Sequence, residues 1–150
     1  MNSAPRSPLP ALRPMLRLIY SYLVYTWGGL HRYFGNLNSM RSEQETAVRY
    51  FARAYEIDPS FRRARLERGI LLWRELGDLP AALADFDALL DEDPHYAPAL
   101  LNRAMACQDC GRFAEALADL ERYLALPVSE TKLYRDEVVR MTAVLRELQE

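Results

Sequence analysis

The sequence predicts an all-α protein made of consecutive helix-turn-helix pairs, and three observations predict it. First, the segments AVRYFARAYEIDP (47–59), ALADFDALLDEDP (82–94) and ALADLERYLALP (116–127) align. Ala47, Ala82 and Ala116 recur at steps of 35 and 34 residues, with Phe51, Phe86 and Leu120 four positions on and Ala54, Leu89 and Tyr123 seven on. Second, a separate track of small residues, Gly35, Gly69 and Ala104, runs 12 or 13 residues ahead of the first, with turn formers between the tracks at Ser39–Ser42, Gly77-Asp78 and Gly111. Third, Pro59, Pro94 and Pro127 close the segments. A fixed period of this length marks one repeated supersecondary unit. Helix, short turn, helix and a proline-marked turn is the unit these residues spell. A tiny side chain lets two helices cross closely, and a bulky one fills the volume beside the crossing.

The elements follow in order. Residues 1–14 are rich in proline and arginine and read as a flexible leader. Residues 15–34 read as a hydrophobic, aromatic helix that starts near Pro14 and runs into the first repeat. Its stretch YSYLVYTWGGLHRYF (20–34) holds four tyrosines and no acid. On a helix, Arg17, Ser21, Gly28 and Arg32 fall on one narrow polar stripe. That pattern suits a helix buried on most sides, lying at a bilayer surface or against protein. The apolar run from Leu18 to Trp27 is interrupted by Ser21 and Thr26, well short of the roughly 20 residues a spanning helix needs. A cleaved signal peptide is not expected, because removal would begin inside the fold. Tyr20, Leu23, Tyr25 and Trp27 form the docking surface of this helix, which caps the stack, meets a partner or lies on a membrane. Tyrosine and tryptophan favour both kinds of interface.

Repeat units are placed at 28–61, 62–96 and 97–128. The second carries one extra residue, expected in its inner turn around Gly77–Pro80. The third is one residue short before Pro127, so its closing turn should differ. Residues 129–150 read as a terminal capping helix, with Ser129 as N-cap and Tyr134, Val138, Met141, Leu145 and Leu148 as its apolar stripe. A dimerising heptad is the alternative for that stripe.

In this register the chain resembles the tetratricopeptide repeat (TPR) family. The family's 34-residue period and its order of small, aromatic, small and proline positions are met in three units covering about two thirds of the chain. RLERGILLWRELGDLPAALADFDALLDEDP is the best match, through Gly69, Leu72, Leu76-Gly77, Ala82, Phe86 and Pro94; in the first unit Asn38 stands where a bulky residue is expected. The resemblance implies an α-solenoid whose concave side is lined by the first helix of each unit, a surface suited to an extended peptide or a partner helix. The groove residues it implies are Arg32 and Asn36 in the first unit, Arg63, Leu66, Ile70 and Trp73 in the second, and Leu101, Met105 and Gln108 in the third. Such a groove takes apolar side chains, with arginine at its rim for acidic ones; the chain's own N-terminal segment is the competing occupant. Some members of the family clamp a peptide's terminal carboxylate with paired lysine, arginine and asparagine. Arg32 and Asn36 match two of those positions. Glu67, Pro98 and Asn102 stand at the positions further on and break the basic part, so binding of a chaperone tail is not expected.

Candidate chemistry yields to structural readings. CQDC (107–110) has the spacing of a zinc or redox pair. Zinc needs four ligands, however, and only His31 and His95 remain; a redox site would need a preceding strand. Cys107 is expected to point inward and Cys110 to lie beside the turn at Gly111, as structural filler. The run DFDALLDEDPH (85–95) lacks the ordered ligand series of a calcium loop. It reads as a solvated acidic helix face, with Arg62, Arg63, Arg65 and Arg68 as surface partners worth little each. No phosphate loop, metalloprotease helix or nucleophile elbow occurs, and no acid–base–nucleophile set can be assembled. The expectation is therefore no catalysis, no metal, no cofactor and no small-molecule substrate.

Charge narrows the partners. Residues 1–41 carry five arginines and no acid, whereas residues 42–150 carry 14 basic groups against 21 acids. A body with that field repels phosphates, so nucleic acid is not an expected partner. Two cysteines are too few for a disulfide scaffold, so a reducing, cytoplasmic setting is expected. The function expected is a non-catalytic interaction module or scaffold for a protein or peptide. The alternative is a peripheral or N-terminally anchored subunit or assembly factor of a membrane complex.

Overall fold

The structure, a computed structural model, describes residues 9–148. Among these, all regular structure is helical: α1 (Leu9–Asn38), α2 (Arg41–Ile57), α3 (Arg62–Leu71), α4 (Leu79–Glu92), α5 (Ala97–Asp109), α6 (Phe113–Ala125), α7 (Val128–Thr131) and α8 (Arg135–Glu147). A π-helical turn, Leu72–Leu76, continues α3. The chain forms two compact units, one up to Arg68 and one from Gly69 onward. Among the described residues no helix is long and apolar enough to cross a membrane.

The leader expected over 1–14 lies outside the described residues for its first eight positions. Helix α1 is already formed at Leu9, earlier than the start expected near Pro14, which sits inside it. Pro14 is the sixth residue of α1, just beyond the four N-terminal positions whose N–H groups lack intrahelical acceptors, so it removes one i→i−4 hydrogen bond close to the helix start,.

In the first unit α1 packs along α2, and the buried positions of α1 are Ser21, Val24, Gly28 and Gly35. A Cβ on Gly28 would stand 2.8 Å from the ring of Phe51, and one on Gly35 2.8 Å from Gln44 Cγ. Glycine is what allows the two backbones this close. Two expectations are corrected here. The stripe of Ser21 and Gly28, read as polar, is the buried side of α1, because small residues are needed at a close crossing whatever their polarity. The glycine that meets the bulky residue of the repeat is Gly28, not Gly35. The reason is a longer second helix: α2 begins six residues before Ala47, whereas α4 and α6 begin three before Ala82 and Ala116. The turn at Ser39, whose φ is 53°, is displaced accordingly. Above the crossing, Val24, Ala54 and Ala64 form a core ringed by Tyr25, Tyr50, Tyr55 and Phe61.

In the second unit Gly69 makes the equivalent approach, its virtual Cβ lying 2.7 Å from Phe86 Cε1. The extra residue of this repeat is not in the loop, as expected, but inside the helix. The π turn absorbs it, since an i→i+5 turn houses one residue more than an α turn. Gly77 then ends the helix at φ 72°, with its N–H bonded to Leu72 O. The side chain of Asp78 caps α4 by accepting from Ala81 N at 3.2 Å.

The closing turns differ in a way the residues explain. Asp58 Oδ1 accepts from Ser60 N at 3.0 Å, and Asp93 Oδ1 accepts from His95 N at 3.0 Å. Leu126 stands at the corresponding place before Pro127 and cannot do this. Ser129 is not an N-cap: it lies within α7, and Tyr134 precedes α8. Arg135 holds this corner, donating to Leu124 O at 2.8 Å and to Thr131 Oγ1 at 2.9 Å. Helix α8 packs on α6 through Val138, Thr142 and Leu145, while Tyr134 and Leu148 of the expected stripe are exposed.

Candidate functional site

In the first unit, four of the residues singled out from the sequence gather around one carboxylate. Arg32 ion-pairs with Glu67. Arg63 Nε stands 3.8 Å from the other oxygen of Glu67, with its guanidinium 5.9 Å from the Tyr25 ring centre. A shallow pocket is lined by Tyr25, Arg32, Asn36, Phe51 and Glu67. Burial first, and the Glu67 charge second, push the Tyr25 hydroxyl above its ordinary value. Asn36 Oδ1 accepts from Gln44 Nε2 at 3.4 Å. Glu67, read in the sequence only as the residue that interrupts a basic clamp, is the centre of the site: it satisfies Arg32 from within the chain.

Tyr25 is not part of an outward docking surface. It is half-buried among rings, 5.0 Å from Phe61 and 5.4 Å from Phe51 between centroids. Tyr20, Leu23 and Trp27 are exposed on α1. Leu66, expected on the groove, is buried. Ala64, Leu71 and Leu72, in α3 and its π turn, are buried as well.

In the second unit the π turn presents Trp73. Its indole N–H donates to Asp109 Oδ2 at 2.7 Å, and the guanidinium of Arg74 stands 4.7 Å from the ring centre. The hydrogen bond ties the end of the first helix of one repeat to the end of the first helix of the next, so Trp73 and α5 share a surface. Ile70, Leu101, Met105 and Gln108 are half-buried. The arrangement offers apolar and aromatic side chains around one fixed indole.

The remaining candidates are structural. Cys107 is buried in α5, and burial pushes its thiol up to about 11; Cys110 is exposed and donates to Cys107 O at 3.3 Å. Among the described residues no group of three or more metal-ligating side chains assembles. The acidic run is not wholly a solvated face: Asp85 is buried, as is Asp119, 34 residues on. Arg103 grips Asp119 with two hydrogen bonds of 2.7 Å and reaches Asp87 with a third of the same length. Two such carboxylate partners hold the guanidinium protonated, raising its pKa further,. The repeat spacing of Asp85 and Asp119 was the available signal for this buried pair.

Comparison with known proteins agrees with the architecture. Two tetratricopeptide-repeat family models match, over residues 45–97 and 74–127, together more than half of the chain. A curated relative, "Protein CTR9 homolog" of Arabidopsis thaliana, is 33% identical over 101 residues, 65% of this chain and 9% of that protein. The UDP-N-acetylglucosamine--peptide N-acetylglucosaminyltransferase of Giardia intestinalis is 31% identical over 88 residues, 59% of this chain and 6% of that one. The chain thus spans less than a tenth of the length of either. Among solved structures, the Yersinia enterocolitica type III secretion chaperone SycD, in complex with a peptide of the translocator YopD, superposes with a TM-score of 0.70 at 18% identity, over 86% of this chain and 94% of that one. The first TPR of Spaghetti (RPAP3), bound to an HSP90 peptide, gives 0.63 at 18% identity, over 83% and 96%. At such identities the likeness is one of fold. With the repeat register, the helix pairs and the family models in agreement, the chain belongs to the tetratricopeptide repeat family.

Proposed function

We propose that the chain is a non-catalytic protein-interaction module that binds an extended peptide or a partner helix through apolar side chains rather than through a terminal carboxylate. The observation that carries the reading is Trp73, a large, partly exposed aromatic side chain whose orientation is already set by Asp109 and Arg74. Aromatic anchors held in place before binding supply most of an interface's energy, because little rotamer freedom is left to lose. Ile70, Leu101 and Met105 add apolar surface in the same unit. The peptide complexes of the SycD and RPAP3 structures support peptide recognition by this fold. The preference against a terminal carboxylate comes from Glu67, which occupies Arg32 and would oppose a second negative group,.

The test is a screen of the purified protein against a library of peptides with free and amidated C-termini. Binders should tolerate amidation, and Trp73→Ala should weaken them at least tenfold, a loss of about 1.4 kcal/mol, with helical circular dichroism unchanged. Binders that need the free carboxylate, or that ignore Trp73→Ala, overturn the proposal.

A further inference from the structure

We propose that the outer face of α1 is a second interaction surface, separate from the peptide site, and that it seats the α1 of another copy of this chain. Leu16, Tyr20, Leu23, Trp27, Leu30, Phe34 and Leu37 succeed one another at alternating steps of four and three. Each is between 40% and 64% exposed. A repeat averaging 3.5 residues keeps one seam aligned along the whole length of a partner helix, so the side chains can interlock as knobs in holes. The opposite face of α1 is occupied, because Gly28 and Gly35 lie against α2. Soluble monomers rarely leave a contiguous apolar patch of this extent uncovered.

Chemistry and area select a second copy as the occupant. On one flank Ile19, Thr26 and Tyr33 carry no charge, and the Thr26 hydroxyl donates to Tyr22 O at 2.8 Å; on the other, His31 is taken up by Glu43 at 2.6 Å. Arg17 and Arg32 turn away from the seam, Arg17 Nε donating to Ile57 O at 3.0 Å and Arg32 pairing with Glu67. A different, charged helix would find nothing of opposite sign on this face, whereas self-association brings no like charges together. The seven side chains expose on the order of 800 Å² per copy, which matches the share each partner contributes to a standard stable interface. A two-fold dimer needs one self-complementary patch, and an uncharged apolar seam is self-complementary.

Sedimentation equilibrium of the full chain at micromolar concentration tests this. The expected result is a species of twice the 17.3 kDa chain mass. Leu23→Glu with Trp27→Glu should weaken it at least a hundredfold, with helical circular dichroism unchanged. A second readout needs no destabilising change: in a Trp73→Phe background Trp27 is the sole tryptophan, and its emission should shift to the blue as concentration rises. A chain monomeric at 100 μM overturns the proposal, whether it then floats with phosphatidylglycerol vesicles or not. A dimer that survives the double substitution and is lost on Val139→Glu, on the exposed side of α8, overturns it as well.

Discussion

Gly28 meets Phe51 in the first unit at nearly the distance at which Gly69 meets Phe86 in the second, yet the helices that carry these glycines turn different faces outward. Helix α1 exposes leucines, tyrosines and a tryptophan, whereas α3 and its π turn expose Arg63, Arg74 and Glu75. The interiors differ too. Around the first crossing lie tilted and edge-on rings, with Tyr25 in reach of both Phe51 and Phe61. The second unit buries a charge network, Arg103 with Asp119. One packing device therefore serves two kinds of unit. The crossing dictates only the narrow strip where the backbones meet, and the rest of each helix surface is free to specialise.

The charge network is where that contrast can be broken with the largest effect. Asp119 is only 2% exposed, so removing Arg103 leaves a buried carboxylate with only the 3.2 Å contact from the half-exposed Arg122, at a cost of up to about 3–5 kcal/mol. Arg103→Met should lower the urea midpoint accordingly, and adding Asp119→Leu should restore most of the loss, because two apolar groups leave nothing unpaired. A single-variant loss below about 1 kcal/mol would reduce the network to a surface feature and erase the difference between the two interiors.

A smaller effect follows from Cys107, another buried ionisable group of that unit. Its thiol titrates at about 11 in the folded chain against an ordinary 9.0, because burial disfavours the thiolate. The folded state therefore holds the proton more tightly than the unfolded state. The resulting stability is fully present below pH 9 and is lost as pH rises from 9 to 11, by up to about 2–3 kcal/mol. In Cys107→Ala this part of the alkaline loss should vanish, read as a shallower fall of the melting temperature between those pH values. Tyr25, raised by burial in the first unit, contributes in the same direction and should be unaffected by the Cys107 change.

How much of this was legible in the sequence depended on whether a residue type has one structural use or two. Phe86, Ala82 and Pro94 recur with the repeat and have a single plausible place, so the helix pairs could be read directly. A glycine or serine is chosen both for polarity and for smallness, and no spacing rule tells these apart. Ser21 and Gly28 therefore read as a polar stripe in the sequence, although both are buried. Asp85 and Asp87 are two residues apart in one acidic run, but only the first points inward, and the sole hint is that Asp119 repeats it. An extra residue can be housed in a loop or in a π turn at no visible cost to the pattern, which is why the presentation of Trp73 emerges only from the structure. Glu67 shows the same ambiguity: a misplaced acid in one reading, the partner of Arg32 in the folded chain.

The smallest effect gives the sharpest test of the crossing itself, because it predicts opposite signs at adjacent residues. A Cβ at Gly28 would lie 2.8 Å from two ring atoms of Phe51 and 3.1 Å from Tyr50 Cβ, whereas one at Gly29 would meet nothing within 4 Å. Phe51 is 1% exposed and has no room to retreat. Alanine in place of glycine favours a helix by about 0.8–1.0 kcal/mol through chain entropy alone, and overpacking in a core costs about 1–3 kcal/mol. Gly28→Ala should therefore destabilise by about 1 kcal/mol, as should Gly69→Ala against Phe86, while Gly29→Ala should stabilise by up to about 1 kcal/mol. Combining Gly28→Ala with Phe51→Leu should recover part of the loss, because the smaller side chain vacates the volume the new methyl needs. If Gly28→Ala and Gly29→Ala move the urea midpoint in the same direction, chain entropy rather than the close approach governs both, and the shared crossing loses its role in the two units.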